Sequence, residues 1–225
     1  MYKATNEYVF DRIYDSIKSL VVSGQLAEGE RLNIEKLALQ FDVSTSPVRE
    51  VLNRLVAEDL IDMTPKIGFS TKHITETDVR DLIELNRLLL DWAVEYAQQP
   101  QALPVSIEPL LFPGKTDNTP SANKQSSVLL ATLTGKLFAH IALHSDNHKL
   151  LQTVGQINDR LYYLRQREFE LTPNSAKELF HLYEVFSQQK YRSLKNALKI
   201  YHDNRFSSLP LLLKRLALYP PAEQK

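Results

Sequence analysis

The stretch Asp42-Val43-Ser44-Thr45-Ser46-Pro47-Val48-Arg49-Glu50-Val51-Leu52-Asn53-Arg54-Leu55-Val56 decides the fold of the first third of the chain. Val48, Val51, Leu52, Leu55 and Val56 recur at i, i+3, i+4, i+7 and i+8, the single apolar stripe of a helix. Ser44, Thr45 and Ser46 supply capping oxygens, and Pro47 suits a first helical turn, where its missing N–H would have no partner. Upstream, Ile34, Leu37, Ala38 and Phe41 predict a short amphipathic helix that reaches the quoted stretch through the tight turn Asp42-Val43. Before that, Val9, Ile13, Ile17, Leu20 and Val21 predict a longer helix stopped at Gly24. Downstream, Ile61 and Met63 alternate with Asp62 and Thr64. The turn Pro65-Lys66-Ile67-Gly68 and the return Phe69-Ser70-Thr71-Lys72 complete a β-hairpin.

Helix, short helix, tight turn, longer helix and hairpin is the order of a winged helix-turn-helix, whose second helix enters the major groove of DNA. The residue types suit that task. The free N–H groups and positive dipole end at Ser44–Pro47 favour a phosphate, and the hydroxyls of Ser44, Thr45 and Ser46 add donors. Arg49 and Asn53 stand at i, i+4 on the face opposite the apolar stripe, and Arg49 offers a two-pronged fork to guanine or phosphate. Lys66 and Gly68 at the hairpin tip are placed to approach the backbone of the neighbouring minor groove. Charge sets a condition on this reading. The whole chain balances 27 basic against 27 acidic residues, and residues 1–74 carry nine basic and eleven acidic ones. A DNA-contacting face therefore requires Arg31, Arg49, Arg54, Lys66 and Lys72 to gather while the acids lie elsewhere, and a dimer would double the patch.

Composition narrows the remaining classes. With 225 residues, 43% hydrophobic and 24% charged, the chain has ordinary globular composition and enough material for a sizeable core. The absence of cysteine excludes a disulfide scaffold, a Cys-based zinc finger, an iron–sulfur cluster and a cysteine nucleophile. No continuous run of apolar residues reads as a membrane span, and Met1-Tyr2-Lys3 leads into a mixed segment unlike a signal peptide, so a soluble, cytoplasmic protein without a membrane partner is expected.

Residues 75–225 read as long helices. Val79, Leu82, Ile83, Leu85, Leu89, Leu90, Ala93, Val94 and Ala97 mark an amphipathic helix over 76–96. Further helices are expected at 104–112, 126–145, 148–170, 175–188, 191–204 and 207–218, with a Pro-rich stretch over 98–125 and no alternating strand pattern. The expectation is a mainly α protein: a winged helix-turn-helix over 1–74, then an antiparallel all-helical bundle of six or seven helices over 75–225, with polar side chains around any internal cavity.

A family resemblance sharpens this. The run from Ser23 to Asn33, Leu37-Ala38, Val43 through Leu52, Arg54-Leu55 and Leu60-Ile61 resembles, in order and without gaps, the signature of GntR-type bacterial transcription regulators. The resemblance implies DNA-contacting roles for Ser44, Thr45, Ser46 and Arg49, a phosphate contact for Arg31 and a wing tip at Gly68. The family usually has arginine where Thr45 stands, so one base-reading fork is missing here. The all-helical second part is similar to the FadR-like subgroup with an FCD-type effector and dimerisation domain. Arg87-Leu88-Leu89-Leu90-Asp91 is similar to that domain's Arg-x-x-Leu-Glu helix, Leu137-Phe138 with Asn147 and Leu150 to its Phe-His…Asn segment, and Phe180-His181 and His202 to its later histidine positions.

Most FCD domains hold a divalent metal through an Asp-x-x-x-His pair and two later histidines. Here the pair aligns with Thr134 and Phe138, which cannot ligate, and His202 is about one position off, so no metal is favoured. The alternative is a relocated zinc or nickel site drawn from His140, His144, His181 and His202, with His148 a further four residues along from His144. Without a metal, an anionic effector needs another counter-charge. The resemblance points to Arg87, with His181, Arg160 and Tyr162 as further candidates, and a carboxylate effector suits a bidentate arginine. The implied function is a homodimeric, ligand-responsive repressor or other regulator that reads a pseudo-palindromic operator. The competing class is a metal-dependent enzyme built on the bundle. Against it stand the missing aspartate and the lack of a Ser/His/Asp set, a paired-carboxylate site or a Gly-rich phosphate loop.

Overall fold

Burial of four side chains organises the first unit of this computed structural model, which describes residues 2–97, 124–172 and 174–218. Val48, Val51, Leu52 and Leu55 are wholly buried along one face of α3 (Thr45–Ala57). Each contributes roughly 1.5–3 kcal/mol by leaving water. They meet Ile13, Tyr14 and Ile17 of α1 (Tyr2–Val22), Leu37 and Ala38 of α2 (Ile34–Gln40), and Phe69 of the sheet in one apolar cluster. Asn33 caps α2, its side chain accepting from the Lys36 N–H at 2.8 Å. Asp42, with φ 53°, turns the chain from α2 into α3. Ser44 occupies the cap position of α3, and its side chain makes no capping hydrogen bond.

The sheet has three antiparallel strands in the order β1-β3-β2. β2 (Ile61–Thr64) and β3 (Gly68–Thr71) form the expected hairpin, with Met63 opposite Phe69 and Thr64 opposite Gly68. The third strand, β1 (Arg31–Leu32), was not legible as a strand, because two residues carry no alternation to read. Tertiary hydrogen bonds create it. The Thr71 hydroxyl donates to Ala27 O at 2.6 Å and accepts from the Glu30 N–H at 2.9 Å, tying residues 27–30 to the wing. Arg31 then pairs with Ser70 and Leu32 with Phe69.

The first unit ends at Ile74 and the second begins at Thr75. A reciprocal box opens the second: Thr75 Oγ1 accepts from the Asp78 N–H at 3.1 Å, and Asp78 accepts from the Thr75 N–H at 3.3 Å. From it run α4 (Glu76–Glu95), α5 (Lys124–Leu143), α6 (His148–Leu171), α7 (Ser175–Ser187) and α8 (Tyr191–Leu218). Leu90, Leu133, Leu137, Phe138, Val154, Leu182 and Leu198 centre the larger core cluster. Val79, Ile83, Ile157, Leu161, Leu209 and Leu212 centre a second. Among the described residues the bundle has these five helices; the one expected at 104–112 lies outside them.

Two expectations change. The separate helices read at 191–204 and 207–218 are one continuous helix through Pro210. Burial of Leu209 (2% exposed) and Leu212 (5%) on both sides of the proline holds the axis together although one backbone hydrogen bond is lost. The stretch Gln125–Leu143 is, by length and average composition, apolar enough to cross a membrane, a property the residue-by-residue reading did not show. Half of it is buried inside the bundle, and Ala131, Leu137, Phe138, Ile141 and Ala142 lie in the main core cluster. A bundle helix acquires such composition because its inward faces meet other helices.

Candidate functional site

An open concavity of about 440 Å³ lies between the recognition helix α3 and the wing. Arg31, Arg49, Asn53, Lys66 and Gly68, drawn from β1, α3 and the hairpin tip, all line it. Its walls carry three cations against one carboxylate, Glu35, so the groove is positive although the unit as a whole is slightly acidic. Arg49 and Asn53 are exposed because they lie across α3 from the buried stripe. Lys66 is held at the tip with φ 68°, and the turn closes through the Ile67 N–H to Thr64 O at 3.1 Å. Ser44, Thr45 and Ser46 are exposed at the start of α3, and Pro47 is half-buried. Because Ser44 caps nothing with its side chain, its hydroxyl is available to an incoming acceptor such as phosphate.

Two of the five basic residues expected to gather lie elsewhere. Arg54 follows Asn53 by one residue, about 100° around the helix, and points to α1. Its guanidinium lies 3.8 Å from the Tyr14 ring centroid and pairs with Glu58 at 3.1 Å. Glu58 also accepts from the Tyr14 hydroxyl at 2.6 Å, while Lys18 donates to that hydroxyl at 3.1 Å. Burial, then the bond to Glu58, pushes the Tyr14 pKa up. Arg54 thus joins α3 to α1. Lys72 is ion-paired with Asp59 and Asp62, the second at 3.4 Å. These partners remove acidic charge from consideration together with the two cations, leaving Arg31, Arg49 and Lys66 as the groove's positive charge.

The bundle contains a second feature, a small cavity of about 30 Å³ between α4, α5, α6 and α8. Asn86, Phe138, Arg165, Glu168, His202 and Arg205 give it its character. Arg205 pairs with Glu168 at 3.0 Å and with Glu178, and its guanidinium lies over the Tyr201 ring at 3.4 Å. Arg165 donates to Asn158 Oδ1 at 2.8 Å and lies 5.1 Å from the Phe138 ring centroid. Burial lowers the Arg165 pKa and raises that of Glu168. His202 Nδ1 is 2.7 Å from Leu198 O and Nε2 is 3.1 Å from Asn86 Oδ1. Burial pushes the His202 pKa down to about 3, so the ring is neutral.

None of the four residues expected to hold an effector lines this cavity. Asn86 faces it and its neighbour Arg87 does not; Arg87 lies 3.9 Å from Asp203. His181 is exposed, and Tyr162 sits 3.4 Å from Thr132 Oγ1 on the α5–α6 pair, with Arg160 half-buried on the same α6. The residues that do line it carried a readable sign. Leu161, Leu164, Arg165 and Glu168 form one helical stripe at i, i+3, i+4 and i+7, so Arg165 and Glu168 occupy core positions of α6.

The donor set does not suit the FCD-type metal. Thr134 is buried and gives its hydroxyl to Leu130 O at 2.8 Å, and Phe138 stacks on His202 with ring centroids 5.9 Å apart. His140 is bonded to Lys136 O at 2.8 Å on its own helix, and His144 packs against Phe186 at 5.2 Å between ring centroids. His148 is exposed at the start of α6. Among the described residues no three His, Asp or Glu side chains converge on one point.

Known proteins place this geometry. Residues 10–70, which contain α2, α3 and β2 and end within β3, match the family described as bacterial regulatory proteins, gntR family. The Nta operon transcriptional regulator of Aminobacter aminovorans is 28% identical over 174 residues, 76% of this chain and 80% of that protein. The HTH-type transcriptional regulator McbR of Escherichia coli is 34% identical over 77 residues, 34% of each chain. The solved structure of E. coli McbR/YncC superposes with a TM-score of 0.66 at 18% identity, covering 92% of this chain and 98% of that one, which supports the mainly helical fold. Residues 10–70 thus carry a gntR-type helix-turn-helix and wing, and the chain is similar over about three quarters of its length to a transcriptional regulator.

Proposed function

We propose that the chain acts in the cytoplasm as a homodimeric, ligand-responsive repressor or other regulator, binding a pseudo-palindromic operator with an affinity set by a small carboxylate in the bundle. One observation carries the DNA-reading part: Arg31, Arg49, Asn53 and Lys66 come from three separate elements and line a single concavity beside the recognition helix. Arg49 and Asn53 are the base-reading pair, and Arg31, Lys66 and the hydroxyls at 44–46 take phosphates. An apolar stripe supports a second copy. Leu85, Leu88, Trp92 and Tyr96 stand at i, i+3, i+7 and i+11 on α4, Leu88 54% and Tyr96 56% exposed, and the last two rings are 4.6 Å apart. Large apolar side chains exposed in a row on one helix favour coverage by a partner. The small internal cavity supports an effector, and the dispersal of the histidines among the described residues favours a bundle that works without zinc or nickel. It equally gives no support to a metal-dependent enzyme.

Selection from random DNA duplexes, followed by salt titration of the recovered site, tests this. The expected result is a two-fold symmetric sequence whose affinity falls steeply and linearly on a log–log salt plot. Failure to enrich any duplex, or an affinity indifferent to salt, overturns the reading.

A further inference from the structure

We propose that Ile67, at the tip of the wing, determines operator specificity by lying against the minor-groove floor and rejecting base pairs that present a guanine amino group there. This rests on the operator-binding reading above and adds a further base reader to Arg49 and Asn53.

An apolar face runs out of the core into the DNA-facing concavity. Residues paired across the hairpin share a face of the sheet, so Met63 and its partner Phe69 lie on the same side as Ile61. Ile61 and Phe69 are buried in the core cluster. Met63, two residues farther along β2, is 51% exposed, and Ile67 in the turn is 58% exposed. Both line the same concavity as Arg31, Arg49, Asn53 and Lys66. A wing that met only phosphates would have no use for large apolar side chains among its cations. Their presence calls for a partner that is anionic and, within a few ångströms, apolar. Duplex DNA is such a partner: its phosphates take the cations, and the sugar faces and base floor of the minor groove are apolar surface.

The cations place Ile67 on the duplex. With Arg49 and Asn53 on the recognition helix in the major groove, Arg31 and Lys66 meet the phosphate ridge that borders it. Ile67 follows Lys66 on the turn, and the surface past that ridge is the minor groove. The tip is held in shape, because Lys66 has φ 68° and the Ile67 N–H donates to Thr64 O at 3.1 Å. In the minor groove A·T and G·C pairs both carry acceptors, and G·C alone adds the guanine amino donor. Isoleucine displaces water from that donor and offers it no acceptor, so the G·C pair is penalised. Isoleucine is among the apolar side chains that proteins set into this groove.

Duplexes of the recovered operator, altered one flanking base pair at a time, test this with the full chain. Inosine in place of guanine removes the amino group and leaves the major-groove edge unchanged. Diaminopurine in place of adenine adds that group to an A·T pair. At one or more flanking positions wild type should bind A·T and inosine·C alike. It should bind G·C and diaminopurine·T more weakly, by about fivefold or more. Ile67→Ser should bind all four alike, with its melting temperature and log–log salt slope unchanged, and Ile67→Val should keep the discrimination. Discrimination that follows the major-groove edge, is absent at every flanking position, or survives in Ile67→Ser overturns the proposal. So does an Ile67→Ser chain that changes its sedimentation and not its base discrimination, since the tip would then serve a second copy. Wild type that selects an operator but ignores the amino group leaves the regulator reading intact and removes only this role. Wild type that selects no duplex removes both.

Discussion

A side-chain carbon placed on Gly68 would lie 4.0 Å from the Arg31 guanidinium. The relationship couples the wing tip to the edge strand: Gly68, opposite Thr64 at the mouth of the hairpin, has φ 108°, a conformation that side chains rarely adopt. Gly68→Ala should cost on the order of 1–3 kcal/mol of stability through backbone strain. It should also weaken DNA binding, because the strain is relieved where Arg31 and Lys66 meet the groove. Paired urea unfolding and DNA titrations check both effects.

Arg49 and Arg54 stand five residues apart on one helix and should behave oppositely. Arg49→Ala removes a groove-facing fork and should cost about 1–3 kcal/mol of operator affinity, with the melting temperature unchanged. Arg54→Ala removes the contact that clamps Tyr14 and Glu58, so it should lower stability by about 1 kcal/mol and leave the recovered sequence preference unaltered. Mobility-shift assays and thermal melts on the two variants separate the roles.

Lys66 is a point charge at the wing, suited to phosphate and not to a base. Lys66→Ala should weaken binding to all duplexes by a similar factor and reduce the log–log salt slope by about one. A change in sequence preference with an unaltered slope would assign Lys66 to base reading instead.

Protonation of His202 opposes folding. Burial, with the charges of Arg165, Arg205 and Arg87, outweighs the bond to Leu198 and holds its folded pKa down to about 3. The unfolded chain takes up that proton near about pH 6.5. The stability due to neutral His202 is therefore present above the unfolded pKa and is lost as pH falls toward 3. Between about pH 7 and about pH 5 the loss should be about 2 kcal/mol, and His202→Gln should remove that share of the slope. Urea midpoints of the two proteins across this range measure it.

Leu88→Glu places a charge in the middle of the exposed stripe on α4. If a second copy covers that stripe, sedimentation should shift from dimer toward monomer, and operator affinity should fall because two linked half-sites become one. An unchanged sedimentation profile would place the self-association face elsewhere.

What could be read from the residues alone was everything that depends on periodicity and local chemistry. The stripe from Val48 to Leu55, the proline in the first turn of α3, the Ile61/Met63 alternation and the long helical segments of the second unit specify their elements because neighbours in sequence share one face. Matters that depend on distant partners needed the tertiary structure. β1 exists because Thr71 binds Ala27 and Glu30. α8 continues through Pro210 because Leu209 and Leu212 are buried on either side of it. Arg54 leaves the groove for Tyr14, and the bundle's charged interior falls to Arg165 and Arg205 while Arg87 lies beside Asp203. A charged side chain has no preference of its own between an outer face and a core. The partners that packing brings within a few ångströms decide it, and those partners lie tens of residues away along the chain.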